Sequence, residues 1–278
     1  QLMPWRFSKM QGAGNDFAVI DCRMSPALPD LETLRRMGDR HFGIGFDQLL
    51  TVELPQSPGA VAAYRIINQD GSFAMQCGNG ARCIAHWLVS EGAVDTDGFV
   101  LDSPSGPIQV KRVGRQYALD MGFPRFAPDD VPLSAETEAD IYHYHHEGLD
   151  LAFSALSMGN PHAVILVDSV ADAPVEHWGR ILQTAPVFPD GVNVGFAQRL
   201  DDGSIRLRVF ERGVGETLAC GSGACAAAVS LIRRGLLQRR VAVHLPGGTL
   251  MIDWPHGAAG VTMTGPAERV YEGEWLDD

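Results

Sequence analysis

Two cysteines carry the most chemistry in this chain, because each stands at the same place in a repeated glycine-rich turn. Cys77 opens Cys77-Gly78-Asn79-Gly80-Ala81-Arg82, and Cys220 opens Cys220-Gly221-Ser222-Gly223-Ala224-Cys225. The offset of 143 between them also aligns Asn68 with Glu211 and Gly71 with Val214. Helical spacing follows each turn, with Ala81, Ile84, Ala85, Leu88 and Val89 in one copy and Ala224, Ala227, Ala228, Leu231 and Ile232 in the other. Gly92 and Gly235 supply the stops. A cysteine at a helix start meets the N-terminal dipole, which favours thiolate; an unperturbed thiol is only about 3% ionised at pH 7. The neighbouring glycines let a ligand approach backbone N–H groups that suit a carboxylate. Two such sites can address one carbon from opposite faces, one thiolate removing a proton and the other thiol delivering one. That chemistry inverts a stereocentre.

The difficult step is a carbanion beside a carboxylate. No pyridoxal-phosphate signature is present, and Lys9 and Lys111 lie outside the repeated turns. No cofactor is therefore expected, and stabilisation falls to preorganised N–H donors at the two helix starts. Glu211 and Arg212 could hold a second ammonium and carboxylate. Asn15, Gln48, Asn68, Asn160 and Asn193 close apolar strands; they are either turn and cap residues or a polar cleft lining, and pairing across the repeat favours the lining. His162 is either a structural hydrogen-bonder or a partner able to hold or deprotonate a thiol. Cys22, Cys83 and Cys225 read as small core residues. No metal is expected, since the cysteines lack zinc spacing and, in the cluster His143, His145 and His146, Tyr142-His143-Tyr144-His145 alternates like an exposed strand edge.

These residues need elements to position them. Met10 to Asp16 is a glycine loop feeding the strand Phe17-Ala18-Val19-Ile20; its Gly-Ala-Gly precedes a strand, so it is no dinucleotide fingerprint. The spacing predicts a helix over residues 31–42 and a strand over residues 43–50 and again over residues 64–67. The repeat extends beyond the helices: Gly14-Asn15-Asp16-Phe17 is echoed by Gly159-Asn160-Pro161-His162 at an offset of 145, and Gln48 by Asn193. Duplication of a half this long implies two similar domains of α/β (α+β) class whose paired motifs face a cleft. A boundary belongs at the proline-rich run Phe123 to Pro128, giving residues 1–122 with Cys77 and residues 123–264 with Cys220.

Composition sets outer limits. The 278 residues suffice for two domains, and 45% hydrophobic content fits a globular protein. A net charge of −12 argues against nucleic acid or an anionic membrane as partner. No apolar run approaches the roughly 20 residues of a membrane helix, and Leu2 to Asp21 lacks a signal-peptide layout, so a cytoplasmic location is expected. Five cysteines in such a chain disfavour a disulfide framework.

Taken together, Met10-Gln11-Gly12-Ala13-Gly14-Asn15-Asp16-Phe17, Gly43-Ile44-Gly45-Phe46-Asp47-Gln48, Cys77 to Cys83, Gly159-Asn160-Pro161-His162 and Gly215 to Gly223 resemble the diaminopimelate epimerase family over nearly the whole chain. The resemblance implies a pyridoxal-independent epimerase interconverting LL- and meso-2,6-diaminopimelate, a small-molecule enzyme for which a homodimer is compatible. It implies Cys77 and Cys220 as base and acid. It places the reacting carboxylate against Gly78, Asn79, Gly221 and Ser222, and the distant L-centre against Asn68, Asn160, Asn193, Glu211 and Arg212. Asn15 and Gln48 would line the pocket, and His162 and Glu211 would help set the thiol states. The family fold is two pseudo-symmetric halves, each a mainly antiparallel, barrel-like sheet curled around a central helix. Its last strand returns to the first half, here residues 265–278 with the strand near Ala267 to Tyr271. Gln11 stands where the family pattern has histidine. A proline-type two-thiol racemase, a phenazine-type isomerase on the same fold, and a thiol redox or carboxylate-binding protein are the competing readings; a substrate screen on reduced protein separates them.

Overall fold

The structure is a computed structural model and describes residues 5–25, 27–75 and 77–276. The outermost positions of the expected first domain and of the returning segment, residues 1–4 and 277–278, therefore lie outside the described residues. The strands are β1 (Trp5–Gly12), β2 (Asn15–Asp21), β3 (Gln48–Glu53), β4 (Ala60–Asn68), β5 (Phe73–Ala74), β6 (Gly98–Ser103), β7 (Gly106–Val113) and β8 (Gln116–Asp120), with helices α1 (Leu31–Gly38) and α2 (Gly78–Ser90). After a 3-10 turn at Pro128–Asp130 come β9 (Tyr142–His146), β10 (Leu149–Ser157), β11 (Pro161–Leu166), α3 (Val175–Gln183), β12 (Asn193–Asp201), β13 (Ser204–Glu211) and β14 (Gly215–Thr217). The chain ends with α4 (Gly221–Arg233), β15 (Arg240–Leu245), β16 (Gly248–Asp253), β17 (Thr262–Pro266) and β18 (Glu268–Trp275). It is a mixed α/β fold, mostly sheet with few helices.

Two compact units divide the chain, Gln1–Leu119 with Thr264–Asp278, and Asp120–Met263. In the first, β1 pairs antiparallel with both β2 and β18, β2 runs parallel to β3, β3 antiparallel to β4, and β4 parallel to β6. The second repeats that ladder order, with β10–β11 antiparallel, β11–β12 parallel, β12–β13 antiparallel and β13–β15 parallel. The repeat holds at the level of single rungs. Phe17 opposes Gln48 as His162 opposes Asn193, and Ile66 opposes Ala74 as Val209 opposes Thr217. A one-residue slip would turn every side chain to the other face, so shared register means shared inward faces.

The central helices explain the small residues of the sequence. Ala224, Ala226, Ala227 and Ala228 are fully buried, and α4 packs against β10, β11, β12, β13, β15 and β16. Strands on so many sides leave no solvent face, so α4 is apolar all round instead of along the single stripe that periodicity predicts. Helix α1 is shorter than expected. Asp30 caps it by accepting the Thr33 N–H at 2.8 Å, and Asp39, extended at ψ 129°, ends it. The Asp39 carboxylate then takes the N–H groups of His41 and Phe42 at 2.7 and 2.8 Å, which diverts the chain into a loop. Residues 43–47 belong to that loop; the strand expected over residues 43–50 begins only at Gln48. Helix α3 was not legible from the sequence.

Candidate active site

Cys77 is the N-cap residue of α2 and Cys220 that of α4, both extended at φ −158° and −126°. Each sulfur occupies the place an N-cap oxygen normally takes. Cys77 Sγ accepts the Gly80 N–H, and Cys220 Sγ accepts the Gly223 N–H, each at 3.3 Å. Glycine at these two positions is a packing requirement: a Cβ on Gly223 would sit 3.1 Å from Cys220 Sγ and from Val209 Cγ2, and one on Gly80 would sit 3.3 Å from Leu50 Cδ2. Neither helix carries an acidic residue in its first turn, so no side chain of the helix itself answers the positive dipole end. The third amide of each helix is thus given to sulfur, and Gly78 and Asn79 in α2, Gly221 and Ser222 in α4, supply the two amides ahead of it.

In the first unit, the hairpin from β1 to β2 turns through Ala13 and Gly14 at φ 52° and 85°. Two consecutive left-handed residues fit the two-residue turn that matches strand twist, and they deliver Asn15 as the first residue of β2. The Cys77 thiol donates to Asn15 Oδ1 at 3.3 Å, and Asn79 Nδ2 donates to the same oxygen at 3.3 Å. The other end of the amide, Asn15 Nδ2, donates to Asp47 Oδ2 at 2.7 Å and to Gln48 Oε1 at 3.3 Å. Gln48 in turn opposes Asn68 on β4, whose side chain donates to Ser72 Oγ at 3.0 Å. The fold thus gathers Asn15, Gln48, Asn68, Cys77 and Asn79 at one end of β2, β3 and β4.

Charges back this cluster. Asp16 accepts from Lys9 at 2.6 Å and from Arg40 at 2.8 Å, and Arg40 also reaches Asp47 at 2.9 Å. Burial alone would raise the Asp16 carboxyl, but the hydrogen bonds and charges of Arg40 and Lys9 outweigh it and hold the group well below the usual carboxylate range. Arg82, fully buried, donates to Asn79 Oδ1 at 2.7 Å and to the Pro266 carbonyl at 3.0 Å. A Cβ on Gly12 would lie 3.3 Å from that guanidinium, so the bare backbone of β1 makes its room.

The second unit builds its own cluster differently. His162 Nε2 lies 2.9 Å from Asn160 Oδ1 and 3.1 Å from Ser222 Oγ; Asn160 Nδ2 donates to Ser222 Oγ at 3.2 Å, and that hydroxyl is 3.7 Å from Cys220 Sγ. His162 is 1% exposed; burial first, then the charge of Arg212, pushes its pKa down to about 3. It is therefore neutral near pH 7. Asn193 braces main chain, donating to the Pro161 carbonyl at 3.0 Å and accepting the Arg212 N–H at 2.9 Å, while Arg212 Nη1 donates to the Asp190 carbonyl at 2.9 Å. Glu211 Oε1 accepts from Thr217 Oγ1 at 2.5 Å. His143 and His145 both turn to Asp150 across the β9–β10 hairpin, and among the described residues no group of three or more His, Cys, Asp or Glu is arranged to hold a metal. Burial raises the Cys22 thiol to about 11 and raises that of Cys83 as well, which marks both as packing residues. Among the described residues no helix is long and apolar enough to cross a membrane.

The lowered pKa of His162 gives a stability prediction with a definite sign. The unfolded chain binds a proton near pH 6.5 that the folded chain refuses until about pH 3, so stability falls as pH drops through that window. Melting temperature measured between pH 7 and 4 should show this slope, and His162→Gln should flatten it. An unchanged slope in that variant would show that His162 is protonated in the fold.

A sequence profile described as diaminopimelate epimerase matches residues 7–127 and 154–270. The chain belongs to the diaminopimelate epimerase family. Diaminopimelate epimerase of Xanthomonas euvesicatoria pv. vesicatoria (strain 85-10) is 55% identical over 272 residues, 97% of this chain and 96% of that one. The protein of the same description from Xylella fastidiosa (strain M12) is 53% identical over 274 residues, 98% of this chain and 96% of its own. The fold reaches wider than the family. A hydroxyproline epimerase from Agrobacterium vitis, with bound trans-4-hydroxy-L-proline, has a TM-score of 0.69 at 15% identity, covering 99% of this chain and 93% of its own. A Bacillus anthracis phenazine biosynthesis protein gives 0.68 at 13%, covering 99% and 100%. In this member of the diaminopimelate epimerase family, Asp47, Arg82, Asp16 and Arg40 back the Asn15 cluster, and the motifs did not assign them. Asp16, Asp47 and Arg82 stood inside the quoted motifs, and an arginine amid the apolar helical run from Ala81 to Leu88 was the available signal.

Proposed function

We propose that this isomerase interconverts LL- and meso-2,6-diaminopimelate without pyridoxal phosphate, Cys77 and Cys220 acting as the two bases on one Cα. The observation that carries this reading is the sulfur N-cap made twice, once per repeat, each with two successive helix amides beside it. A thiolate at one cap removes the Cα proton. Negative charge then builds on the adjoining carboxylate, which this reading assigns to the amides of Gly78, Asn79, Gly221 and Ser222. One lost donor of this kind typically costs about 3 to 4 kcal/mol, so paired helix ends can supply much of the rate. The thiol at the other cap returns a proton to the opposite face.

Asymmetry chooses the substrate. Glu211 and Arg212 stand where the first repeat has Asn68 and Gln69, and with Asn160 and Asn193 they suit an ammonium and carboxylate far from the reacting carbon. A substrate with a second amino-acid head meets that demand, and proline does not. We place the activity in the cytoplasm, with a small molecule as partner and a homodimer as a permitted assembly.

The test is isotopic. LL-diaminopimelate turned over in deuterated water should give meso product carrying solvent deuterium at the inverted carbon from the first turnovers. Inverted product that keeps its original hydrogen would exclude the exchange of protons through two thiols.

A further inference from the structure

Asn15 and Asn160 are equivalent in the repeat, yet they present opposite ends of their amides. Asn15 turns its oxygen to Cys77 and Asn79; Asn160 turns its nitrogen to Ser222. The cause lies behind each residue. An ionised carboxylate only accepts hydrogen bonds, so Asp47, 2.7 Å from Asn15, faces the NH₂ end and leaves the oxygen for the thiol, while Asn79, its own oxygen held by Arg82, donates its Nδ2 to that same oxygen. Val192 stands at the corresponding place in the second unit, where the Asn160 oxygen is taken by His162 instead. A donor chain then runs from His162 through Asn160 to the Ser222 hydroxyl beside Cys220.

We propose that Asp47 is a positioning residue that, through Asn15, holds Cys77 in its thiol form and so makes the two cysteines unequal at rest. A hydrogen bond accepted from S–H stabilises the neutral form and disfavours thiolate, the reverse of what hydroxyl and N–H donors do. The inference rests on Cys77 being one of the two reacting thiols, but its measurement does not.

The charged and titratable groups around Cys77 act in both directions. Behind Asn15 stand Asp47 and Asp16, compensated by Arg40 and Lys9. On α2 itself lie Arg82, whose charge favours thiolate, and the buried Cys83; on β4 Tyr64 faces the site with its hydroxyl held neutral by burial. Arg82 works through the intervening Asn79 amide, whereas Asn15 touches the sulfur directly. The Gly80 N–H also touches this sulfur at 3.3 Å and favours thiolate, but Cys220 receives the matching Gly223 N–H at 3.3 Å, so the Asn15 contact is the difference between the two caps.

The experiment is the pH dependence of iodoacetamide alkylation at Cys77, resolved from Cys220 by peptide mass spectrometry on the intact protein. Asp47→Asn frees Asn15 to turn its NH₂ toward the sulfur, so the Cys77 midpoint should fall by about one pH unit, a tenfold faster reaction on the acid side. Asp47→Glu, which still only accepts, should restore it. In an Asn15→Ala background the same Asp47→Asn change should shift nothing further, because the effect passes through the amide. An unmoved Cys77 midpoint would overturn the proposal, whether or not melting temperature falls. An undiminished shift in the Asn15→Ala background would also overturn it, as a direct charge effect. Failure of the two-thiol mechanism itself would show separately, as turnover surviving loss of either cysteine.

Discussion

Cys77→Ala and Cys220→Ala are each expected to lose epimerisation by at least about a thousandfold, while each retains hydrogen exchange at one stereoisomer only. A single well-placed general acid or base typically contributes 10²- to 10⁴-fold, and groups that act as a unit are lost together when either goes. The stereochemical half of the prediction is the sharper one. With one thiol left, a Cα proton can be taken and solvent hydrogen redelivered on the same face, so the centre exchanges without inverting. The two variants should be complementary, one washing deuterium into the LL isomer and the other into the meso isomer. The two-base reading fails if either variant keeps near-normal turnover. A misfolded variant would lose exchange with both isomers, which separates damage to the fold from damage to the chemistry.

The repeat behind that prediction was legible in the sequence because duplication leaves a record of spacing. Offsets of 145 at Asn15 and Asn160 and of 143 at the cysteines are reproduced as strand registers, Phe17 on Gln48 and His162 on Asn193. The starts of α2 and α4 were readable for the same reason, since glycine, cysteine and a change of period mark them locally. Hydrogen-bond direction was not readable. Whether Asn15 offers oxygen or nitrogen depends on Asp47, brought to it by the parallel pairing of β2 and β3. His162 reads from the sequence as either a structural hydrogen-bonder or a thiol partner; its ring nitrogen is placed on Asn160 and Ser222, a detail fixed by the β10–β11 hairpin and the first turn of α4. Arg82 was masked by its own helix, where periodicity marks a side chain as core or surface but cannot show a guanidinium buried against Asn79. The strand expected over residues 43–50 begins only at Gln48 because Ile44 and Phe46 belong to a loop closed by Asp39 and Met37.

The same loop yields the largest stability effect. Gly43→Ala would place a methyl group 1.9 Å from the Arg36 carbonyl oxygen and 2.7 Å from that of Met37. Both are backbone atoms at the end of α1, so no side chain can swing aside. The loop cannot simply lift, because the N–H groups of Ile44 and Gly45 bond the Met37 carbonyl at 2.8 and 2.9 Å, Lys9 holds the Gly45 carbonyl, and the Asp47 N–H bonds the Asp16 carbonyl at 2.9 Å. Relief of the clash must break some of these bonds. The expected cost is about 3 kcal/mol or more, a fall in melting temperature of about 10 °C. Gly59→Ala is the matched control, since Gly59 has φ of +82° but nothing within 4 Å of a built Cβ. Backbone strain alone costs about 1 to 2 kcal/mol there. Activity should separate the two as well: Gly43→Ala moves the segment that carries Asp47 and Gln48 and so loosens Asn15 against Cys77, whereas Gly59→Ala leaves turnover unchanged below its melting transition. Equal losses of stability in the two variants would mean that the loop yields freely, and that the bonds closing it on α1 do not hold Asp47 in place.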